Sequence, residues 1–356
     1  MRDFVFDARL PRVVFGAGAL RQLPREVAAL GARRVLVLCT PGQRRLGERV
    51  VALLGDAAAG LFAEAAMHVP VATADAAQAE ATRLGADCAV AVGGGSTTGL
   101  GKAIALASGL PVVAVPTTYA GSEMTTMYGL TEGGAKRTGR DPRVLPRTVI
   151  YDAELSRELP FAVTVVSALN AIAHAAEGLY APDANPVVDL MAAEGIRAAA
   201  SALPRLRRDP RDLEARGEAL VAAWLCGTVM GAITVGLHHK LCHTLGGSFG
   251  LPHAETHAVV LPHALAYNAM AAPAAMARIA ASLGTPTAAG GMFDLAQRLG
   301  APTSLRALGL READLDRATA LATTTPYPNP RTVEPQAIRA LLQRAFDGTR
   351  PEDPSP

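Results

Sequence analysis

The feature that most constrains this chain is a change of rhythm near residue 160. Before it, apolar runs end in small or turn-forming residues: RRVLVLC (33–39), DCAVAVGGG (87–95), PVVAVPTT (111–118) and RTVIYD (147–152). Helical stretches such as GQRRLGERVVALLG and TTGLGKAIALASG separate them. Strands without polar alternation are buried on both faces, and helical crossovers make them parallel. The expectation is an α/β domain with a parallel sheet, preceded by a hairpin of FVF and RVVFGAG. Beyond residue 160 the strand signal vanishes, and Ala-rich helical patterns cover 161–181, 186–203, 211–247, 254–271, 273–284, 290–299, 310–323 and 334–346. The organisation read from this is an α/β domain over 1–155, an all-helical domain over 156–350 and a disordered tail over 351–356.

Two domains also suit 356 residues, which is long for one core. Half the residues are apolar, 19% are charged and the formal net charge is +2, values that exclude a disordered chain and argue against a nucleic-acid or membrane partner. The run RLRRDPRDLEAR (205–216) carries its own acids and reads as a solvated turn between helices. No uninterrupted apolar run reaches the roughly 18 residues of a membrane helix, and the N-terminus lacks the layout of a signal peptide. Cys39, Cys88, Cys226 and Cys242 show neither CxxC spacing nor a disulfide framework. A cytoplasmic, reduced protein is expected.

Two glycine loops compete for a dinucleotide. VFGAGALRQL fails, because Arg21 stands where the third glycine belongs and no strand–turn–helix unit follows. AVAVGGGSTTGLGKAIAL is the better candidate: Gly93, Gly94, Gly95 and Ser96 end a buried strand and open a helix, where a pyrophosphate can approach backbone N–H groups. The bland alternative is a tight turn that needs small residues. Thr117, Thr118 and Ser122 of PTTYAGSEMT end the next strand in the same way and could supply hydroxyls to the same ligand. Lys136 is assigned to the cofactor as a cation, and Lys102 is a further possible cation or a structural helix residue. After the first strand of the domain, VLVLCTPGQRR offers Thr40 and no carboxylate, with Arg44 and Arg45 beside it. A 2′-phosphate would meet no repulsion there, so both NADH and NADPH are expected to serve.

Five of the eight histidines fall within HHKLCHTLGGSFGLPHAETH (238–257). His239 and His243 lie four apart on a helix, as do Asn170 and His174 in SALNAIAHAAEGLY, and His253 opens the next helix. Any one of these, taken singly, would be a core or surface histidine. Two spaced pairs plus His253 point to one site. His257, His263 and His68 fall outside the pattern and read as structural.

The strand–GGGS–helix loop, the PTT…GSE strand end, and N/D-x3-H followed by H-x3-H-x9-H together resemble the iron-activated (group III) alcohol dehydrogenase family over about residues 5–350. The resemblance implies a Rossmann-like domain before a helical one, with NAD(P) and substrate in a cleft between them, and a homodimer. It also implies that Asn170, His174, His239 and His253 match the family's aspartate and three histidine metal ligands, and that His243 matches a histidine beside the nicotinamide.

Two departures matter: the ligand aspartate is Asn170, and the acid that usually follows GGGSxx is Gly99. With GGGSTTGLGKAIAL, PTTYAGSEMT and the terminal YPNPR, these look like the family's maleylacetate reductase branch. That branch reduces the C=C bond of a small dicarboxylate, maleylacetate, in the breakdown of aromatic compounds. Four neutral ligands would hold a dication poorly, so no metal is expected. Asn170, His174, His239, His243 and His253 are then the catalytic set, with Tyr327, Asn329 and Arg331 of YPNPR as weaker candidates. The rival readings are a metal-dependent alcohol or polyol dehydrogenase, a lyase of the dehydroquinate synthase type, and a non-catalytic nucleotide-binding protein.

Overall fold

The first unit of the computed structural model is built on four strands that are buried along their whole length. In chain order its elements are β1 (Arg12–Phe15), α1 (Leu23–Ala29), β2 (Val35–Leu38), α2 (Arg44–Leu54), β3 (Ala58–Phe62), α3 (Val71–Arg83), β4 (Cys88–Gly93), α4 (Gly95–Ser108), β5 (Val112–Pro116), β6 (Met127–Glu132), β7 (Ala135–Arg140) and β8 (Thr148–Tyr151). β2, β4, β5 and β8 are the wholly buried ones. The structure describes residues 4–7, 9–133 and 135–352, without the side chains of Ala135 and Lys136. The role given to Lys136, and the tail from residue 353, lie outside the described residues.

The sheet runs β1-β8-β5-β4-β2-β3, with every pair parallel. Alternate residues feed two separate cores. Val35, Val37, Val90 and Val92 pack with Leu23, Val27 and Val50 of α1 and α2. Leu36, Leu38, Ala89 and Ala91 pack with Ala77, Ala81, Leu100 and Ile104 of α3 and α4. Truncating one of these leucines to alanine should cost about 2–5 kcal/mol, because the close-packed layer collapses only in part.

β3 lies on one side of β2 and the next strand, β4, on the other. The chain therefore reverses direction across the sheet between β2 and β4, and ligands of open α/β sheets bind beyond the strand ends at such a point. The expected opening hairpin is not formed. RVVF is β1, but it pairs parallel to β8, and Phe4–Phe6 belong to no regular element. Sequence reading also missed β3 and the antiparallel β6–β7 pair. β3 is an edge strand, and its AAGLF is short, small-residue-rich and only partly buried.

The unit Arg9–Leu159 is followed by a helical unit from Pro160 onward, to which residues 4–7 also belong. Its helices are α5 (Phe161–Gly178), α6 (Pro186–Arg208), α7 (Leu213–Ala232), α8 (Leu237–Phe249), α9 (His253–Asn268), α10 (Pro273–Leu283), α11 (Ala288–Leu299), α12 (Leu315–Thr323) and α13 (Pro335–Asp347). The single helix expected over 211–247 is two, bent by 98° at a break after Ala232. Three β-branched residues and a glycine, Ile233–Gly236, fill that break and weaken helix propagation. α6 starts where Asn185 Oδ1 accepts from the N–H groups of Val187 and Val188, with Pro186 in the first turn.

α5 is long and apolar enough to cross a membrane by composition, but 83% of it is buried within the fold, and it carries Asn170, His174 and Glu177. It is the core helix of the unit. The charged turn at 205–216 is solvated only in part. Arg205 pairs with Asp212 and Glu214 at the surface, whereas Arg216 is fully buried and donates to Thr164 Oγ1 at 2.7 Å and Pro210 O at 2.9 Å.

Candidate active site

In the α/β unit, Thr40, Gly93, Gly94, Gly95, Thr117 and Thr118 lie at the ends of β2, β4 and β5, beside the reversal point. Thr40 follows β2 and donates to Gln43 Oε1 at 3.3 Å, and Gln43 Nε2 donates to Thr117 Oγ1 beyond β5 at 2.8 Å. Gln43 thus ties the end of β2 to that of β5, passing over Gly93 at the end of β4. A Cβ on Gly93 (φ +157°) would lie 2.7 Å from Gln43 Oε1 and 2.4 Å from Thr97 Oγ1. On Gly94 it would lie 2.9 Å from Thr118 Cγ2, whereas on Gly95 it would make only ordinary contact. Internal packing therefore explains the first two glycines. Gly95, exposed at the first position of α4, is the one that leaves backbone open to a ligand.

The start of α4 has an anion-binding character of its own. No side chain caps it, no acid lies in its first turn, and the buried Thr97 hydroxyl has no hydrogen-bond partner. These residues fit a dinucleotide pyrophosphate. Sequence reading missed Gln43 and Thr97; the i+3 spacing of Gln43 from Thr40 was the available signal.

Lys102 settles into the structural role. Its ammonium donates to Ser122 O, Thr125 O, Thr125 Oγ1 and Met127 O at 2.6–3.0 Å, pinning the segment after β5 that carries Ser122. Burial pushes it down to about 7, against the opposing pull of Glu123. It is not available to a substrate. Gly99 is likewise fixed by packing, since a Cβ there would lie 2.6 Å from Val69 Cγ2.

In the helical unit, α5, α8 and α9 bring imidazoles together. The rings of His174 and His239 stack with centroids 5.3 Å apart, and His243 lies 6.0 Å from His239. His253 joins through His257, 4.4 Å away, which is itself 5.1 Å from His239. Asn170 sits one turn before His174 on α5, buried. His257, read from sequence as structural, is a member of the cluster. So is His238, whose Nε2 lies 2.9 Å from His257 Nδ1. The signal for His257 was present, because it follows His253 by four on one helix. His263 is also buried.

Burial, reinforced by the neighbouring rings, holds His174, His238 and His257 well below the ordinary imidazole range. These three are neutral at pH 7 and serve through N–H and lone pair rather than charge.

The carboxylate of this region is Glu177, fully buried on α5. One oxygen accepts from the His238 backbone N–H at 2.9 Å, and the other is bonded to His239 Nδ1. The metal implied by the family resemblance does not fit this donor set. Asn170, His174, His239 and His253 are an amide and three imidazoles, and Glu177 is turned to a histidine Nδ1. None of the four matching groups is anionic, so by themselves they offset none of a dication's charge in a buried site.

YPNPR is built into the same unit. Asn329 and Asn268 exchange side-chain amide hydrogen bonds at 2.7 and 3.0 Å, and the Arg331 guanidinium stacks 4.2 Å over Tyr267. Gly236, which opens α8, leaves room for the Pro328 carbonyl: a Cβ there would lie 2.5 Å from that oxygen and 3.5 Å from Glu177 Oε1.

Known proteins share this architecture along its length. Residues 11–153 match the family model for iron-containing alcohol dehydrogenase, and 164–346 match that for the C-terminal part of the Fe-containing alcohol dehydrogenase family. A maleylacetate reductase of Burkholderia cepacia is 62% identical over 351 residues, 99% of this chain and 100% of the relative. The crystal structure of a maleylacetate reductase from Agrobacterium tumefaciens superposes with TM-score 0.95 at 55% identity, covering 99% of this chain and 100% of that one. A Ralstonia eutropha JMP134 structure, at TM-score 0.98 and 63% identity with 99% and 100% covered, carries an alcohol dehydrogenase name.

Proposed function

This chain belongs to the iron-containing alcohol dehydrogenase family, and we propose that it acts there as a maleylacetate reductase, reducing the C=C bond of maleylacetate to give 3-oxoadipate. The observation that carries the reading is Asn170, an amide where the family pattern has its anionic ligand, in a chain 62% identical to a named maleylacetate reductase. An isolated carbonyl needs a Lewis acid worth several kcal/mol, whereas an enone spreads developing charge onto a conjugated oxygen that hydrogen-bond donors can hold.

The fold is that of NAD(H)-dependent dehydrogenases. Gly95, Ser96 and the free hydroxyl of Thr97 at the start of α4 would hold the pyrophosphate, with Thr117, Thr118 and Ser122 beside them. The bound nicotinamide supplies the hydride. Thr40 places no carboxylate where a 2′-phosphate would lie, and Arg44 and Arg45 are exposed close by, so NADH and NADPH both serve. On the substrate side, imidazole N–H groups among His174, His239, His243 and His253 hold the enolate oxygen, and one of these rings, protonated from solvent, passes a proton to the α-carbon. Asn170 adds an amide donor. Metal takes no part. A cytoplasmic homodimer acting on a dicarboxylate belongs to the same reading.

The competing reading is a metal-dependent alcohol dehydrogenase. It is favoured by the buried His239 Nε2, which has no hydrogen-bond partner, and by the Ralstonia relative's name. Oxidation of NADH by maleylacetate, run beside NAD+ reduction by ethanol and glycerol, separates the two. Turnover with the enone alone supports the reductase, and turnover with the alcohols alone refutes it.

A further inference from the structure

Glu177 lies three residues after His174, so α5 presents both on the side that meets α8. Its two oxygens are engaged at successive residues of α8: the backbone N–H of His238 and the ring Nδ1 of His239. α8 has no cap of its own, since Gly236 supplies no side chain. A carboxylate from another helix therefore serves as its cap, satisfying an orphan N–H and facing the positive end of the helix dipole. The place is kept by Gly236, where any side chain would displace the Pro328 carbonyl.

This bond decides the chemistry of one ring. A carboxylate only accepts, so His239 Nδ1 must carry the proton, leaving Nε2 as the nitrogen that can exchange one. Nε2 is buried and has no hydrogen-bond partner, while the rings of His174, His238, His243 and His257 surround His239 at centroid distances of 5.1–6.0 Å. We propose that Glu177 is the positioning residue of the reaction: it holds the proton of His239 on Nδ1 and fixes the ring's orientation, so that Nε2 is the atom that takes up a solvent proton and delivers it to the reduced enone, the carboxylate balancing the imidazolium that carries it and the ring returning to its Nδ1–H form. The role in turnover rests on the reductase reading above, whereas the tautomer does not.

The test is nitrogen NMR of the enzyme labelled with 15N-histidine, without substrate, with the His239 signals assigned by their loss in His239→Asn. The wild-type ring is expected to show its proton on Nδ1, and Glu177→Gln, which puts an amide in the carboxylate's place, is expected to move it toward the Nε2–H form. In the same variant kcat should fall on the order of 100-fold, as when other histidine-orienting carboxylates are neutralised, while KM for NADH stays within about 2-fold. An Nε2–H ring in the wild type overturns the proposal even if the variant does not fold. A variant with unchanged spectrum and unchanged kcat overturns it as well. If maleylacetate is not turned over by wild type, the reductase reading fails, and the spectrum still decides the tautomer.

Discussion

Val69 lies against the backbone of Gly99, its Cγ2 only 2.6 Å from where a Cβ on that glycine would stand. Val69 is buried and adopts φ +48°, next to His68 at φ +63°, a conformation costly for a β-branched residue. The segment is held by Thr131, whose N–H donates to Val69 O and whose hydroxyl donates to His68 O. Val69 therefore has little freedom to retreat.

The consequence is an inverted substitution effect. Glycine to alanine within a helix ordinarily stabilises by about 1 kcal/mol. Gly99→Ala is expected to destabilise instead, by about 1–3 kcal/mol of overpacking, and Gly99→Asp by at least as much. Thermal denaturation of the two variants checks the sign. A rise in Tm for Gly99→Ala would show that Val69 yields.

Cofactor choice should turn on Thr40. Its replacement by aspartate places a carboxylate where a 2′-phosphate would approach, and the repulsion should lower kcat/KM for NADPH at least ~10-fold, about 1.4 kcal/mol, with NADH kept. Steady-state kinetics with the two coenzymes give the ratio. Loss of both together would mean that the hydroxyl serves only the Gln43 bridge.

Acid should unfold this protein early. His174, His238 and His257 are held well below 6.5 by burial, and His263 is held at about 4. Above pH 6.5 each is neutral folded and unfolded, so stability does not depend on them. As pH falls below 6.5 the unfolded chain takes up protons that the folded chain refuses, and each group removes roughly 1.4 kcal/mol per pH unit until its own folded value is reached. Denaturation midpoints measured from pH 8 to 5 should be flat and then fall. A midpoint that rises toward pH 5 would contradict the neutral cluster.

Asn170→Asp should restore an anionic ligand beside three imidazoles and raise Zn2+ affinity at least ~10-fold over wild type. Calorimetric titration of both proteins measures it. Equal affinities would mean that the amide is not what weakens the site.

The parts of this molecule that depend on local pattern were legible in its sequence. β2, β4, β5 and β8 read as buried because they carry no solvent-facing alternation, and most helices began or ended at proline or glycine as expected. What depends on long-range pairing was not: RVVF runs parallel to a strand more than 130 residues away, which no local signal specifies. The histidines of the repeated four-residue spacing were found, but His238 was passed over and His257 set aside. Glu177 was invisible because its meaning lies in a partner 62 residues away, on another helix.

If protein donors alone carry the reduction, the enzyme needs no metal. The most direct test is maleylacetate-dependent NADH oxidation by enzyme dialysed against a chelator and shown to be free of iron and zinc. Full activity in that preparation, unchanged by adding either metal, is the predicted result. Activity lost on chelation and recovered with stoichiometric iron or zinc would contradict the account.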